Sequence, residues 1–292
     1  MLCWRRYASV AAILSAFVVA GCGSSHHTVA EANFRYASAG LIAVSQPGAS
    51  RPESAAAARS WLTVAGSKST ASAKRARASA AARALATKLD RLTRGTSAVA
   101  WAMGRPVPVY RSPNAATAER EFPTHDQFGI TQVFLVKRAI PGWLEVYLPV
   151  RPNDSTAWVR SATVGVTLDP YRVVVDTAAH RLTTMRAGRA VMHVTVGIGK
   201  SATPTPHGLF YVLEELRMVP ATGPYGTFAF GLSAYSNVLT TFGTGDAQVA
   251  LHGTNEPATI GQSTSNGCVH LSDGVADWLA RTLPLGTPVQ II

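Results

Sequence analysis

Hydrophobic and polar positions fall into three textures along the chain. Ala8 to Ala20 is an apolar run behind Arg5 and Arg6. It is shorter than the ~20 residues that span a bilayer as a helix. Residues 23–97 are rich in Ala, Ser and Arg and poor in large apolar residues, a composition that does not bury a core. Inside that segment, Leu85, Leu89 and Leu92 are spaced by four and three, which predicts a helix over 78–94 that stops at Gly95. Its apolar stripe is narrow, so the helix is marginal on its own.

From Trp101 the period shortens to two. Val107 and Val109 alternate around prolines, and "TQVFLVKRAIPGWLEVYLPV" reads as two strands about Pro141-Gly142. The turn residues 151–155 precede another strand pattern in "TAWVRSATV". A second β-rich stretch follows: strands are expected over 173–175, 182–185 and 192–196, then in "LFYVLEEL", "DAQVALHGT" and the closing "GTPVQII". Residues 218–246 combine glycines with Tyr225, Phe228, Phe230, Tyr235 and Phe242, a pattern expected of a long loop or lid. One helix is expected over 274–282, carrying Val275, Trp278 and Leu279.

Charge and cysteine usage refine the picture. The 292 residues carry a formal charge of +11. Residues 23–97 hold 11 basic and 3 acidic side chains, whereas 168–292 hold 7 and 8. The basic excess therefore belongs to the tail, where it favours an anionic membrane surface or an acidic wall polymer. The basic n-region, short apolar run and small residues have the layout of a secretory signal peptide. Val19-Ala20-Gly21-Cys22 resembles the bacterial lipobox, which implies cleavage before Cys22 and its lipidation. An exported, lipid-anchored chain at the outer face of the cytoplasmic membrane or in the periplasm makes nucleic acid an unexpected partner. Cys3 would be lost with the signal, leaving Cys268 as the one thiol, either an inert buried cysteine or a nucleophile.

Cys268 sits in "SNGCVHLSD", sixteen residues after His252. His252 ends a predicted strand and Asn266-Gly267 permits a tight turn, so the fold can bring imidazole and thiol together. An imidazole lowers the thiol pKa or takes its proton. The N–H groups of Gly267 and Cys268 can then face a developing oxyanion.

These residues resemble the L,D-transpeptidase (YkuD) family, whose signature is a His followed, about fifteen residues later, by Ser/Thr-His-Gly-Cys. Here the matching residues are His252-Gly253-Thr254 and Ser265-Asn266-Gly267-Cys268-Val269-His270, with outer matches in "YRVVVDTAAHRLTTMRAGR", "TPTPHGLFYV" and "LPLGTPVQII". The resemblance implies attack by Cys268 on a peptidoglycan tetrapeptide stem, loss of D-Ala, a thioester, and a 3-3 cross-link to the amine of a second stem. It implies His252 as base and acid, oriented through the Gly253 carbonyl. It also implies supporting roles for Ser265, Asn266, Gly267 and His270, acylation by carbapenems, no cofactor and no metal.

The fold is expected to be mainly β: the strand rhythm of 98–167 suggests a small β-barrel that resembles SH3-like modules, and the YkuD resemblance implies a β-sandwich over 168–292. Both follow a signal peptide (1–21) and a flexible, partly helical tether (22–97). The SH3-like resemblance rests on strand rhythm, Trp143 and Trp158.

Two positions depart from the family pattern. The His expected before Gly-Cys is Asn266, which hydrogen-bonds but does not titrate. Position 270, usually Arg or Asn, is His270, which either binds a stem carboxylate or stands in for the missing His. His125, His180, His193 and His207 fit no pattern and are expected at the surface or in turns. Tyr225 and Phe230 are candidate contacts to a stem peptide.

Rival readings are distinguishable. A thiol peptidase of the NlpC/P60 type places Cys before His, and a sortase spaces its His and Cys far more widely. A zinc site needs more ligands than Cys268, His252 and His270. A non-catalytic wall-binding lipoprotein, or a carboxypeptidase using water, remains open from the sequence.

Overall fold

The computed structural model describes residues 95–292, together with the backbone of a two-residue strand, β1 (Ile42–Ala43). The expectations for the signal peptide, Cys3, Cys22, the tether and the helix over 78–94 lie outside the described residues. The described chain is mainly β, with 17 strands from residue 97 onward and one α-helix.

The first β group runs from Ser97 to Asp169. β2 (Ser97–Ala102), β5 (Val133–Ile140), β6 (Trp143–Tyr147), β7 (Thr156–Arg160) and β8 (Val164–Asp169) form an antiparallel sheet in the order β7-β6-β5-β2-β8. A hairpin of β3 (Val107–Val109) and β4 (Arg120–Phe122) joins the edge at β7 through a Tyr110–Trp158 bridge. Val107 and Val109 point inward as their alternation requires, and they pack with Phe122, Phe134, Leu144 and Val159.

The second group is a nine-stranded sheet. Its path is β11 (Arg189–Thr195), β10 (Arg181–Arg186), β9 (Tyr171–Asp176), β18 (Pro288–Ile291), β13 (Gly208–Arg217), β14 (Phe228–Tyr235), β15 (Gln248–His252) and β17 (Val269–His270), with β1 pairing β13. β18 runs parallel to β9, and β17 parallel to β15. A small parallel pair, β12 (Ile198–Gly199) with β16 (Ser263–Ser265), anchors the segment between His252 and Cys268. The helix α1 (Asp273–Ala280) buries Ala276 and Leu279 against the same core as Phe210, Phe230, Leu232 and Leu251. The opposite face of β13, β14 and β15 is therefore free of the helix.

The long loop expected over 218–246 is corrected by β14. Phe228-Ala-Phe-Gly-Leu-Ser-Ala-Tyr235 is a strand whose Phe230, Leu232 and Ala234 face the core. Phe228, Phe230 and Leu232 alternate with Ala229, Gly231 and Ser233 at the strand period of two, a pattern masked by the glycine- and aromatic-rich residues on either side. Phe230 is fully buried in that core and cannot touch a substrate, which corrects its place among the candidate stem contacts.

The two β groups share a seam. Tyr211 is fully buried with Val99, Val133 and Leu135, and its hydroxyl donates to the Tyr147 carbonyl at 3.2 Å. Arg151 donates to the carbonyls of Ser236, Leu239 and Asp246. Asn153 exchanges hydrogen bonds with the Tyr235 backbone in both directions. These contacts fix the loop that leads from β14 to β15, which forms one wall of the cleft beside Cys268.

Candidate active site

Strand register builds the site. Leu251 pairs with Val269, and His252 with His270. Side chains alternate along strands, so Leu251 and Val269 enter the core while His252 and His270 stand on the outer face. Cys268 lies one residue before β17, beside Ala250, whose backbone hydrogen-bonds it. Cys268 therefore shares the outer face with both histidines. The diagonal from His252 to Cys268 crosses one strand and two residues, about 8 Å between Cα atoms.

Gly197 locks this edge. Its N–H donates to the His270 carbonyl at 3.0 Å and its carbonyl accepts from the His270 N–H at 2.9 Å. A Cβ at Gly197 would approach the Thr259 carbonyl oxygen to 2.8 Å and the His270 Cβ to 3.1 Å, so only glycine fits the close approach.

The imidazole tautomers follow from their partners. His252 Nδ1 lies 2.6 Å from the Gly253 carbonyl. A carbonyl only accepts, so Nδ1 carries the proton and Nε2 keeps its lone pair. The Thr259 hydroxyl donates to the Glu256 carbonyl and so accepts from His270 Nδ1 at 3.3 Å, which gives His270 the same tautomer. The two rings lie 4.9 Å apart, and the Tyr225 ring covers His252 at 4.7 Å.

Burial sets the charges. His252 is 4% exposed; burial and then the charge of His270 push its pKa down to about 3, against the Gly253 hydrogen bond. Burial also lowers His270, opposed by Glu256. Burial pushes the Cys268 thiol up, opposed by the Ala250 backbone. Burial thus favours a neutral thiol and a neutral imidazole at rest, which leaves the imidazole the second of its two expected roles, taking the thiol's proton.

The turn before the thiol is held by Ser265. Its hydroxyl donates to the Cys268 carbonyl at 2.6 Å and accepts from the Gly267 N–H at 3.1 Å. Gly267 has φ +121°, a region that side-chain-bearing residues rarely adopt. The Gly267 N–H is spent inside the turn, which corrects its expected place in an oxyanion hole. Asn266 is exposed.

Asp273 is a feature the sequence reading missed. Its carboxylate accepts from the Thr227 N–H at 3.2 Å. A Cβ on Gly226 or Gly253 would collide with that oxygen. The first turn of α1, the backbone that orients His252, and the end of the Tyr225 loop thus meet at one carboxylate. No spacing rule links residues 226, 253 and 273; only the register brings them together.

A cleft of about 420 Å³ opens over the outer face, lined by Cys268, Ala250, Gly231, Glu214 and Tyr225 among others. His180, His193 and His207 are turn or surface residues bonded to Ser263, Thr183 and Thr177, and His125 is exposed. Among the described residues, no group of three or more His, Cys, Asp or Glu side chains could hold a metal ion.

Residues 170–291 match the YkuD family, the L,D-transpeptidase catalytic domain. The chain is 30% identical over 131 residues to the putative L,D-transpeptidase YqjB of Bacillus subtilis (strain 168), covering 42% of this chain and 71% of that protein. It is 32% identical over 122 residues to the putative L,D-transpeptidase YkuD of the same organism, covering 42% of this chain and 66% of that protein. The chain thus spans just under two thirds of the length of that relative. L,D-transpeptidase 3 from Mycobacterium tuberculosis, solved with a faropenem-derived adduct, is 19% identical, with a TM-score of 0.35 and coverage of 49% of this chain and 75% of that one.

Proposed function

The chain belongs to the L,D-transpeptidase (YkuD) family, and we propose that Cys268 and His252 are its nucleophile and its base in acyl transfer on peptidoglycan stems. The observation that carries this reading is the shared face of His252 and Cys268, with His252 Nδ1 tied to Gly253 and Nε2 left to accept.

Because thiol and imidazole rest neutral, the proton moves as the bond forms. The Cys268 sulfur attacks the carbonyl between the diamino acid and D-Ala of a tetrapeptide stem, and the thiol proton passes to His252 Nε2. The carbonyl oxygen gathers negative charge near the Cys268 N–H. The C–N bond to D-Ala breaks, and His252 returns the proton to the leaving nitrogen. A side-chain amine of a second stem then attacks the thioester and passes its proton to His252. The C–S bond breaks, a 3-3 cross-link forms, and the thiol regains its proton. Water in place of the amine makes the same site a carboxypeptidase. Carbapenems acylate the same sulfur by ring opening.

On this reading Ser265 and Gly267 shape the nucleophile's turn, Asn266 leaves proton transfer to His252 alone, and His270 fixes the outer edge. Residues 98–167 act as an SH3-like module ahead of the catalytic domain over 168–292. Residues 1–21 export the chain and are cut away, and residues 22–97 tether it through lipid on Cys22 at the cell envelope. A non-catalytic wall-binding protein is the second reading, favoured by the raised thiol pKa. Incubating the chain with purified tetrapeptide stems and analysing products separates the two. Released D-Ala with a 3-3 dimer, lost in Cys268→Ala and strongly reduced in His252→Gln, supports catalysis. Unchanged stems with the wild-type chain contradict it.

A further inference from the structure

Four residues form one lateral row across the outer face. Glu214 pairs with Gly231 and Gly231 with Ala250. Ala250 in turn stands beside Cys268, one step before the Leu251–Val269 pair. The two inner members are the smallest residues available, so the row is a trough with a nucleophile at one end and a carboxylate at the other. All four line the same cleft.

The carboxylate leans along the row. A Cβ on Gly231 would come within 2.4 Å of Glu214 Oε2 and 3.1 Å of Gln248 Nε2, so the acid lies over β14 toward β15. Two strand spacings, about 10 Å, then separate Gly231 from Cys268. Glu214 is 8% exposed; the Gln248 side chain hydrogen-bonds its carboxylate, and the charges that act on it, Asp126 and Asp246, are both acidic. Among the described residues, those lining the cleft include no Lys, Arg or His. A carboxylate held this deep without a cation is costly unless a cation arrives with a ligand.

We propose that Glu214 is the subsite for the side-chain ammonium of the acyl donor, so that the trough selects stems whose third residue carries a free amine. This rests on the acyl-transfer reading of Cys268. The distance assigns the amine to the donor. An attacking acceptor nitrogen must come within about 3.5 Å of the thioester carbon, far short of Glu214. A side chain on the residue being acylated runs away from the sulfur along Ala250 and Gly231 and ends at the acid. Burial raises the Glu214 pKa to about 7, and an ammonium beside it would draw it back down.

The test compares two tetrapeptide stems, one with a free side-chain amine and one with that amine acetylated. Acylation of Cys268 is followed by intact mass in the wild-type full chain and in Glu214→Gln, with thermal melting to check that the variant is folded. The expected result is at least a tenfold preference of the wild type for the free amine, reduced to within about twofold in Glu214→Gln. Equal rates for both stems in the wild type overturn the assignment, and that comparison needs no variant to fold. A preference that persists in folded Glu214→Gln also overturns it. No adduct with either stem overturns the acyl-transfer reading itself, and this assignment with it.

Discussion

His252 and His270 stand in register on parallel strands with their rings 4.9 Å apart, each with its Nδ1 proton tied to a main-chain or hydroxyl oxygen. Two imidazoles in contact cannot both hold a charge cheaply, and the buried one yields first. Its folded pKa of about 3 lies below the unfolded value near 6.5.

The unfolded chain therefore binds more protons at His252 between pH 6.5 and 3, so stability falls as pH drops through that window. Raised carboxylates such as Asp169 and Glu214 act in the opposite sense over this range, so the His252 contribution is read as a difference: from pH 7 to 4 the wild type is expected to lose stability relative to His252→Gln in thermal melts. A difference that does not change with pH would contradict it. By NMR, the His252 ring is expected to stay neutral from pH 8 to 5.

Asp169 works in the opposite sense. Burial raises its pKa to about 6, against hydrogen bonds from Thr287 and the Tyr171 N–H. The folded state then holds a proton that the unfolded state has released, so this contribution is full below pH 3.8 and is lost as pH rises to 6. Asp169→Asn is expected to stabilise the protein at pH 7, by at most about 3 kcal/mol on a two-unit shift. Urea titrations at pH 4 and 7 check this, since the gain should vanish at pH 4.

Gly253→Ala tests the junction at Asp273. The added methyl would meet the Asp273 carboxylate at 2.2 Å and Gly226 Cα at 3.0 Å. A shift there moves the carbonyl that orients His252. Acylation is expected to fall at least tenfold, with a stability cost of about 1–3 kcal/mol. Asp273→Asn, which keeps an oxygen for the Thr227 N–H, is expected to lose far less acylation than Asp273→Ala.

Tyr211 tests the seam between the two β groups. Tyr211→Phe removes only the hydroxyl bonded to Tyr147 and is expected to cost about 1 kcal/mol. Tyr211→Ala empties a fully buried site and is expected to cost about 3–5 kcal/mol. Denaturant midpoints measure both. Near-equal costs would mean that the ring contributes little.

Much of this was legible in the sequence because it rests on local pattern. Val107 and Val109 alternate inward as read, the Pro141-Gly142 turn joins β5 to β6, and Leu279 faces the core from α1. The spacing of His252 and Cys268 pointed to a shared site because the intervening segment returns the chain to the same sheet edge. β14 was overlooked although Phe228, Phe230 and Leu232 alternate with Ala229, Gly231 and Ser233, because the glycines and turns around it read as one long loop. Glu214 and Asp273 were not legible. Each draws its meaning from residues on other strands, and register across a sheet is a tertiary property. The direction of the thiol pKa was not legible because burial is invisible in sequence, and here burial outweighs the Ala250 backbone hydrogen bond.

The most direct measurement is the intact mass of the chain after mixing with a purified tetrapeptide stem, with Cys268→Ala alongside. The account predicts a wild-type mass gain equal to the stem less D-Ala, and none in the variant. An unchanged wild-type mass, with D-Ala retained on the stem, or an adduct that survives in Cys268→Ala, would contradict it.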